Sequence, residues 1–244
     1  MSLSSKNTAL RLDKFIAKTT GCTRSKAKKL ILSGQVNVDQ NTCKSVGLIV
    51  SPQNEVLLSG EILAFIGNRY ILLNKPKGTI CSNKDEQYPS VLNLLDLVNL
   101  DDLHFAGRLD ADTSGLVLIS DDGQWTHRIT SPKHKQAKTY IVTTSEPLSE
   151  KASQQLEAGV LLKDNAKPTL PAVVSVIDDS TCSITITEGR YHQVKRMFAA
   201  VGNHVVELHR RSIGNLILDD KMEIGQWRHL SVKEIDSFSN IHLV

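Results

Sequence analysis

At 244 residues the chain has room for two domains and a real core, and 40% hydrophobic against 23% charged residues with a net charge of +3 excludes a disordered chain. Cys22, Cys43, Cys81 and Cys182 lie far apart with no C-x-x-C pair, which reads as scattered reduced thiols, neither a disulfide framework nor a zinc site. The start, "MSLSSKNTAL", has no apolar signal core, and no apolar run approaches the ~20 residues of a membrane span, so a cytoplasmic protein is expected.

The charge is unevenly spread. Residues 6 to 44 hold nine Lys and Arg against Asp13 and Asp39, a local net of +7 that leaves −4 for the remainder. A compact basic segment on a mildly acidic body suggests a module for a polyanion, the alternative being a solvated lysine face. "LRLDKFIAKTTG" places Leu12, Phe15 and Ile16 at i, i+3 and i+4 and ends in Gly21, a short amphipathic helix with a glycine stop. In "CTRSKAKKLILSG", Thr23 or Ser25 can cap a second helix. Ala27, Leu30 and Ile31 form its buried stripe, Gly34 ends it, and Lys26, Lys28 and Lys29 fall on the exposed side. "QVNVDQ" then alternates as a strand, with Val36 and Val38 on one face.

This helix, turn, basic helix and strand resemble the S4 RNA-binding domain over roughly residues 9 to 66. The resemblance implies that Arg11, Lys14, Arg24, Lys26 and Lys29 contact RNA phosphates, which position a protein without reading sequence. A second domain is expected over 67–244. "YILL" in "GNRYILLNKPKGTICS" is a buried-strand run closed by the turn Lys75-Pro76-Lys77-Gly78, which carries two cations. Further strands are expected at 116–120, 138–144, 172–178, 182–187, 204–208 and 216–218, and helices at about 90–98, 122–130, 149–158 and 192–201. Strands and helices interleave without a regular βαβ repeat, which favours an α+β domain on a mixed, largely antiparallel sheet.

"GRLDADTSGLVLISDD", residues 107 to 122, poses the central question. From Asp110 its spacing fits a calcium loop, with Asp112, Ser114, Gly115, Val117 and Asp121 at the appropriate positions. A catalytic carboxylate on a tight turn is the competing reading. The flanks decide. Gly107 spoils the helix that must lead into a calcium loop, and "LVLIS" is a β-rich run where the second helix should begin. The scattered histidines lack zinc-ligand spacing and cysteine partners, and no metal site is read.

"HFAGRLDADTSGLVLISDDG", "AKTYIV" (137–142) and "EGRYHQVKRMFAAVGNHVVELHRRSIG" (188–214) resemble, in order, three motifs of the pseudouridine synthases. With the S4-like module in front, the resemblance covers nearly the whole chain. Within the family it is closest to bacterial members that act on small-subunit ribosomal RNA. The sequence departs from the pattern at "KPTLPAVV", where Leu170 stands in place of an expected lysine.

The resemblance implies isomerisation of uridine to pseudouridine. The N1–C1′ bond breaks, the uracil turns, and it rejoins the ribose through C5. No redox change occurs and no group is lost, so neither cofactor nor metal is expected. Asp110 matches the catalytic aspartate, which either attacks C1′ or removes a proton from the 2′ carbon. An ionised carboxylate in a dry pocket needs a cation beside it, and Lys195 matches the basic residue that pairs with it. Tyr140 matches the tyrosine that packs against the uracil. Arg108 is placed to fill the space of the extruded base or grip a phosphate.

Arg190 and Arg196, with Lys75, Lys77, Arg210, Arg211 and the run Arg128, Lys133, Lys135 and Lys138, are candidates for an RNA path. Asp112 is read as a turn residue. The expected partner is small-subunit ribosomal RNA, naked or in a partly assembled particle, bound by a monomer. The competing readings are a synthase for large-subunit RNA and a non-catalytic S4-type assembly factor.

Overall fold

The structure, a computed structural model, describes residues 9–64 and 67–238. Lys6 and residue 66, the expected end of the first domain, lie outside the described residues. The chain divides into two compact units, Met1–Asn68 and Arg69–Val244.

The first unit runs β1 (Leu10–Arg11), α1 (Leu12–Thr20), α2 (Arg24–Leu32), β2 (Val36–Val38), β3 (Asn41–Thr42), β4 (Ile49–Val50), β5 (Val56–Leu58) and β6 (Glu61–Ile62). Its small core is the expected one. Leu12, Phe15 and Ile16 of α1 pack with Ala27 and Ile31 of α2 and with Val36 and Val38 of β2. Gly21 ends α1, donating its N–H to Ala17 O, and the Thr23 hydroxyl accepts the Lys26 N–H at the start of α2.

One acid joins that core. The Asp13 side chain is fully buried and holds Arg11 Nε at 3.2 Å and Arg24 Nη2 at 2.9 Å. Burial pushes its carboxyl up, but the two guanidiniums outweigh this and leave it below the usual carboxylate range. Arg11 and Arg24 therefore tie the two helices to Asp13. Lys18, counted with the basic segment, is buried too, and its ammonium donates to Gly67 O and Asn68 Oδ1.

The second unit comprises β7 (Tyr70–Lys75), β8 (His104–Phe105), β9 (Ser114–Ser120), α3 (Gly123–Thr130), β10 (Lys138–Thr144), α4 (Glu150–Ala158), β11 (Val173–Val176) and β12 (Thr181–Ile186). It continues through α5 (Gln193–Ala200), β13 (Val205–Ile213), β14 (Leu216–Ile217), β15 (Trp227–His229) and α6 (Val232–Ser237). The sheet order is β11-β12-β10-β13-β9-β7-β15, with β14 on β13 and β8 on β9. Every pairing is antiparallel except β13 with β9, so the sheet is mixed and largely antiparallel, as the sequence led one to expect.

The central strands are buried on both faces, which is why "YILL" and "LVLI" read as unbroken apolar runs. Ile71, Leu73, Val117 and Ile119 feed one core, capped by Val194, Met197 and Phe198 of α5. Leu72, Leu116 and Leu118 point the other way, onto Trp125 and Ile129 of α3 and onto Phe238.

The expected helix at 90–98 is instead a single 3₁₀ turn, Val91–Leu94. Ser90 caps it through the Leu92 N–H, and the chain is already extended at Leu95. Asn93, Asp96, Val98 and Asn99 offer little helix propensity to carry it further. The strand expected at 204–208 runs on to Ile213, because Arg210 is a buried strand residue and not the start of a polar loop.

The parallel pairing is unusually close. Gly115 faces Arg210 with φ +107, and a Cβ there would lie 2.4 Å from Arg210 O and 2.7 Å from Arg210 N. Both the backbone angle and the neighbouring strand exclude a side chain. Gly115→Ala should therefore destabilise this unit by about 3 kcal/mol, read as an earlier denaturant midpoint than that of the wild type.

Candidate active site

The turn that carries Asp110 is held from behind by two buried cations. Arg210, on β13, donates from Nε to Leu116 O at 2.7 Å and from Nη2 to Gly107 O at 2.9 Å, and also reaches Arg108 O. Lys75, fully buried at the end of β7, donates to Thr113 O and Pro76 O, both at 2.9 Å. The Lys75-Pro76-Lys77-Gly78 turn interlocks directly with this segment, because Gly78 N donates to Ala111 O at 2.7 Å. Desolvation brings the Lys75 ammonium down to about 8, against the pull of Cys81, Asp110 and Asp112. Neither Lys75 nor Arg210 lies on the surface, so both leave the expected RNA path. They shape the turn instead.

Asp110 itself is partly open, its side chain 31% exposed at the edge of a cavity of about 240 Å³. Its Oδ2 receives the Lys195 ammonium at 3.2 Å, and its Oδ1 lies 3.4 Å from His192 Nε2. Lys195 also donates to Asp112 Oδ1 at 2.5 Å. Burial lowers the Lys195 ammonium, but the two carboxylates more than restore it, leaving it above its ordinary value. The same contacts, working against burial, hold Asp112 below the usual carboxylate range. Lys195 thus stays protonated at neutral pH and is shared between two anions. Asp112 is more than the turn residue the sequence suggested, although its side chain is 73% exposed.

Tyr140, buried on β10, lines the cavity together with Arg108, Arg190 and Lys138. Lys138 lies two residues before Tyr140 on the same strand, so it shares that face. Burial and the nearby Arg210 charge bring its ammonium down to about 8, and it donates to Gln136 O at 3.0 Å. It belongs to the cavity more than to an outer basic path. Arg108 is exposed at the mouth. Arg190 is engaged by protein groups, donating to Lys167 O, Pro168 O and Glu188. Arg196 reaches Lys163 O and Asn165 Oδ1 beside a neighbouring depression.

The residue that sequence reasoning missed is His192. It precedes Lys195 by three positions at the start of α5, the spacing that brings two side chains to one side of a helix. Searching the histidines for zinc-ligand spacing passed over that signal. The calcium reading has no support in the flanks. Residues 114–120 form β9, and the Asp121 carboxylate accepts from Arg69 N and Nε.

Asp110, paired with an ammonium on the edge of a cavity that a buried tyrosine also lines, can act as a nucleophile or a base toward a bound molecule. Comparison with known proteins agrees with that chemistry. A family model for RNA pseudouridylate synthases matches residues 69–200, and one for the S4 domain matches residues 10–56. Ribosomal small subunit pseudouridine synthase A of Haemophilus influenzae is 48% identical over 228 residues, 93% of this chain and 98% of that protein. The Escherichia coli (strain K12) protein of the same name is 48% identical over 229 residues, 93% of this chain and 99% of that one. Among solved structures, a crystal structure of a pseudouridylate synthase matches with a TM-score of 0.68 at 48% identity, covering 94% of this chain and 99% of that one. Such identity along almost the whole length, with one family model spanning more than half of it, means that the chain belongs to the RNA pseudouridylate synthase family, in a form whose synthase domain follows an S4 domain.

Proposed function

We propose that the protein isomerises a uridine of small-subunit ribosomal RNA to pseudouridine, with Asp110 as the catalytic carboxylate. The observation that carries this reading is the Asp110–Lys195 pair at 3.2 Å on the edge of a cavity that Tyr140 also lines. An A-form helix does not fit such a space, whereas a single nucleotide turned out of its stack does. Lys195 holds its ammonium against that carboxylate beside the ribose. Whether Asp110 bonds to C1′ or takes a proton from C2′, the N1–C1′ bond breaks and the uracil turns against the Tyr140 ring. In the first route C5 displaces the Asp110 oxygen from C1′ as the C1′–C5 bond forms; in the second the proton returns to C2′ as that bond forms. In both, C5 then loses its proton and N1 gains one. Atoms and electrons balance without any added group.

The named relatives supply the small-subunit assignment. In this reading the protein acts as a monomer on naked or partly assembled ribosomal RNA in the cytoplasm. No helix among the described residues is long and apolar enough to cross a membrane. Mapping pseudouridines in ribosomal RNA from cells with and without the gene tests the assignment. One small-subunit pseudouridine should disappear; loss of a large-subunit site instead would reassign the substrate.

The first unit serves as the RNA-docking module in this reading, with domains at 1–66 and 67–244. Lys26 and Lys29 are exposed on α2, while Arg11 and Arg24 keep more than half of their side chains in solvent despite holding Asp13. Each phosphate contact contributes a slope of about −0.7 to −0.9 in log affinity against log salt. The double substitution Lys26→Gln/Lys29→Gln should weaken RNA binding and flatten that slope by roughly 1.5. An unchanged slope in a salt titration would remove α2 from the interface.

A further inference from the structure

Tyr191 lies outside the cavity that holds Asp110, yet a single side chain separates the two. His192 Nε2 is 3.4 Å from Asp110, and the His192 ring stacks on Tyr191 with centroids 3.8 Å apart and planes 21° from parallel. Tyr191 is nevertheless 75% exposed, so a large aromatic surface remains open to solvent. Beyond it lies a second depression, lined by Tyr191, Leu161, Arg196, Lys163 and the small residues Ala199 and Ala200.

The cation in this depression is held in place. Arg196 donates to Lys163 O, to Asn165 Oδ1 at 2.9 Å and to Tyr191 O at 3.3 Å. Asp164 is the one acid that lines the depression, against the two cations Lys163 and Arg196 in its lining. Leu161, 61% exposed, adds a second uncovered apolar side chain beside the aromatic one.

We propose that this depression is a second nucleobase subsite, which takes the base of a nucleotide flanking the target uridine, stacked on the open side of Tyr191. The proposal rests on the reading of the protein as an RNA-modifying enzyme and extends it to the substrate's next nucleotide. Continuity identifies the occupant. A uridine held against Asp110 has its neighbour one step along the strand, and the His192–Tyr191 stack leads from the cavity to the depression. Charge agrees, since Arg196 and Lys163 suit the phosphate that joins the two nucleotides. An aromatic face beside fixed cations is the chemistry that binds unpaired nucleotides with little regard to base identity, because every base has a π-face. The subsite would hold the strand so that the extruded uridine cannot swing back.

Two measurements on the full-length protein test the subsite. In the first, an oligouridylate carrying one 2-aminopurine is titrated with wild type, Tyr191→Phe and Tyr191→Leu. Stacking quenches 2-aminopurine, so the wild type and the phenylalanine variant should quench it and the leucine variant should not. Equal quenching by all three would overturn the proposal. In the second, turnover is followed on a small-subunit ribosomal RNA transcript. Tyr191→Leu should raise KM about tenfold with kcat within twofold of wild type, and Tyr191→Phe should restore KM. A fall in kcat at unchanged KM would overturn the subsite and assign Tyr191 to holding His192 against Asp110. Absence of wild-type turnover would overturn the proposed function, while the fluorescence titration would still decide the subsite.

Discussion

Asp110→Asn should abolish pseudouridine formation, by on the order of 10³-fold or more, while RNA binding survives. An amide has nearly the size of the carboxylate, but it is a poor nucleophile and a poor base at neutral pH, so attack at C1′ and proton removal at C2′ both stop. The turn itself should persist. Its anchors are backbone carbonyls held by Arg210 and Lys75 and a backbone bond from Gly78, none of which uses the Asp110 side chain. Removing a negative charge near a polyanion does not weaken their attraction. Filter binding should therefore match wild type. Asp112→Asn should be much milder, within a few-fold of wild type, since that carboxylate is mostly in solvent and Lys195 keeps Asp110 as its partner. Equal and severe losses from both substitutions would contradict this division of roles.

Lys195→Met should lose roughly 10²-fold or more of turnover with RNA affinity changed less than threefold. Lys195 is only 24% exposed and spends its charge on two carboxylates, which leaves little of it for phosphate. Methionine keeps the length and apolar stem of the side chain but leaves Asp110 without the ammonium that neutralises it. Single-turnover kinetics separate the two effects. A loss confined to affinity, with the chemical step intact, would move Lys195 to the RNA path.

How much of this was legible in the sequence depends on where the side chains point. The paired helices of the first unit follow from the spacing of Leu12, Phe15 and Ile16 and from the punctuation of Gly21 and Thr23. The two-faced core of the second follows from the unbroken apolar runs on β7 and β9. The Asp110–Lys195 pair came from motif resemblance, and no spacing rule could have placed two residues 85 positions apart in contact.

Several of the misreadings share one cause, buried charge, whereas the helix expected at 90–98 failed on low propensity. Lys75 and Arg210 look like surface cations because most lysines and arginines are exposed. Only the fold reveals that backbone carbonyls satisfy them inside. The same arginine hid the second half of β13. Asp13 was counted only as one of two acids in a basic segment, yet it organises Arg11 and Arg24. At the C-terminus, by contrast, a signal was available and passed over. Ser231-Val232-Lys233-Glu234 is a capping box, and α6 begins there with both reciprocal bonds made.

Release of tritium from small-subunit ribosomal RNA transcribed with uridine labelled at C5 tests the central claim most directly, because joining C1′ to C5 must expel the hydrogen from that carbon. Purified wild-type protein should release it with no added cofactor and in the presence of a chelator. Release should come from a single site per transcript, and Asp110→Asn should release none above background. Release by Asp110→Asn at the wild-type rate, or none by the wild type from any ribosomal RNA, would contradict the account.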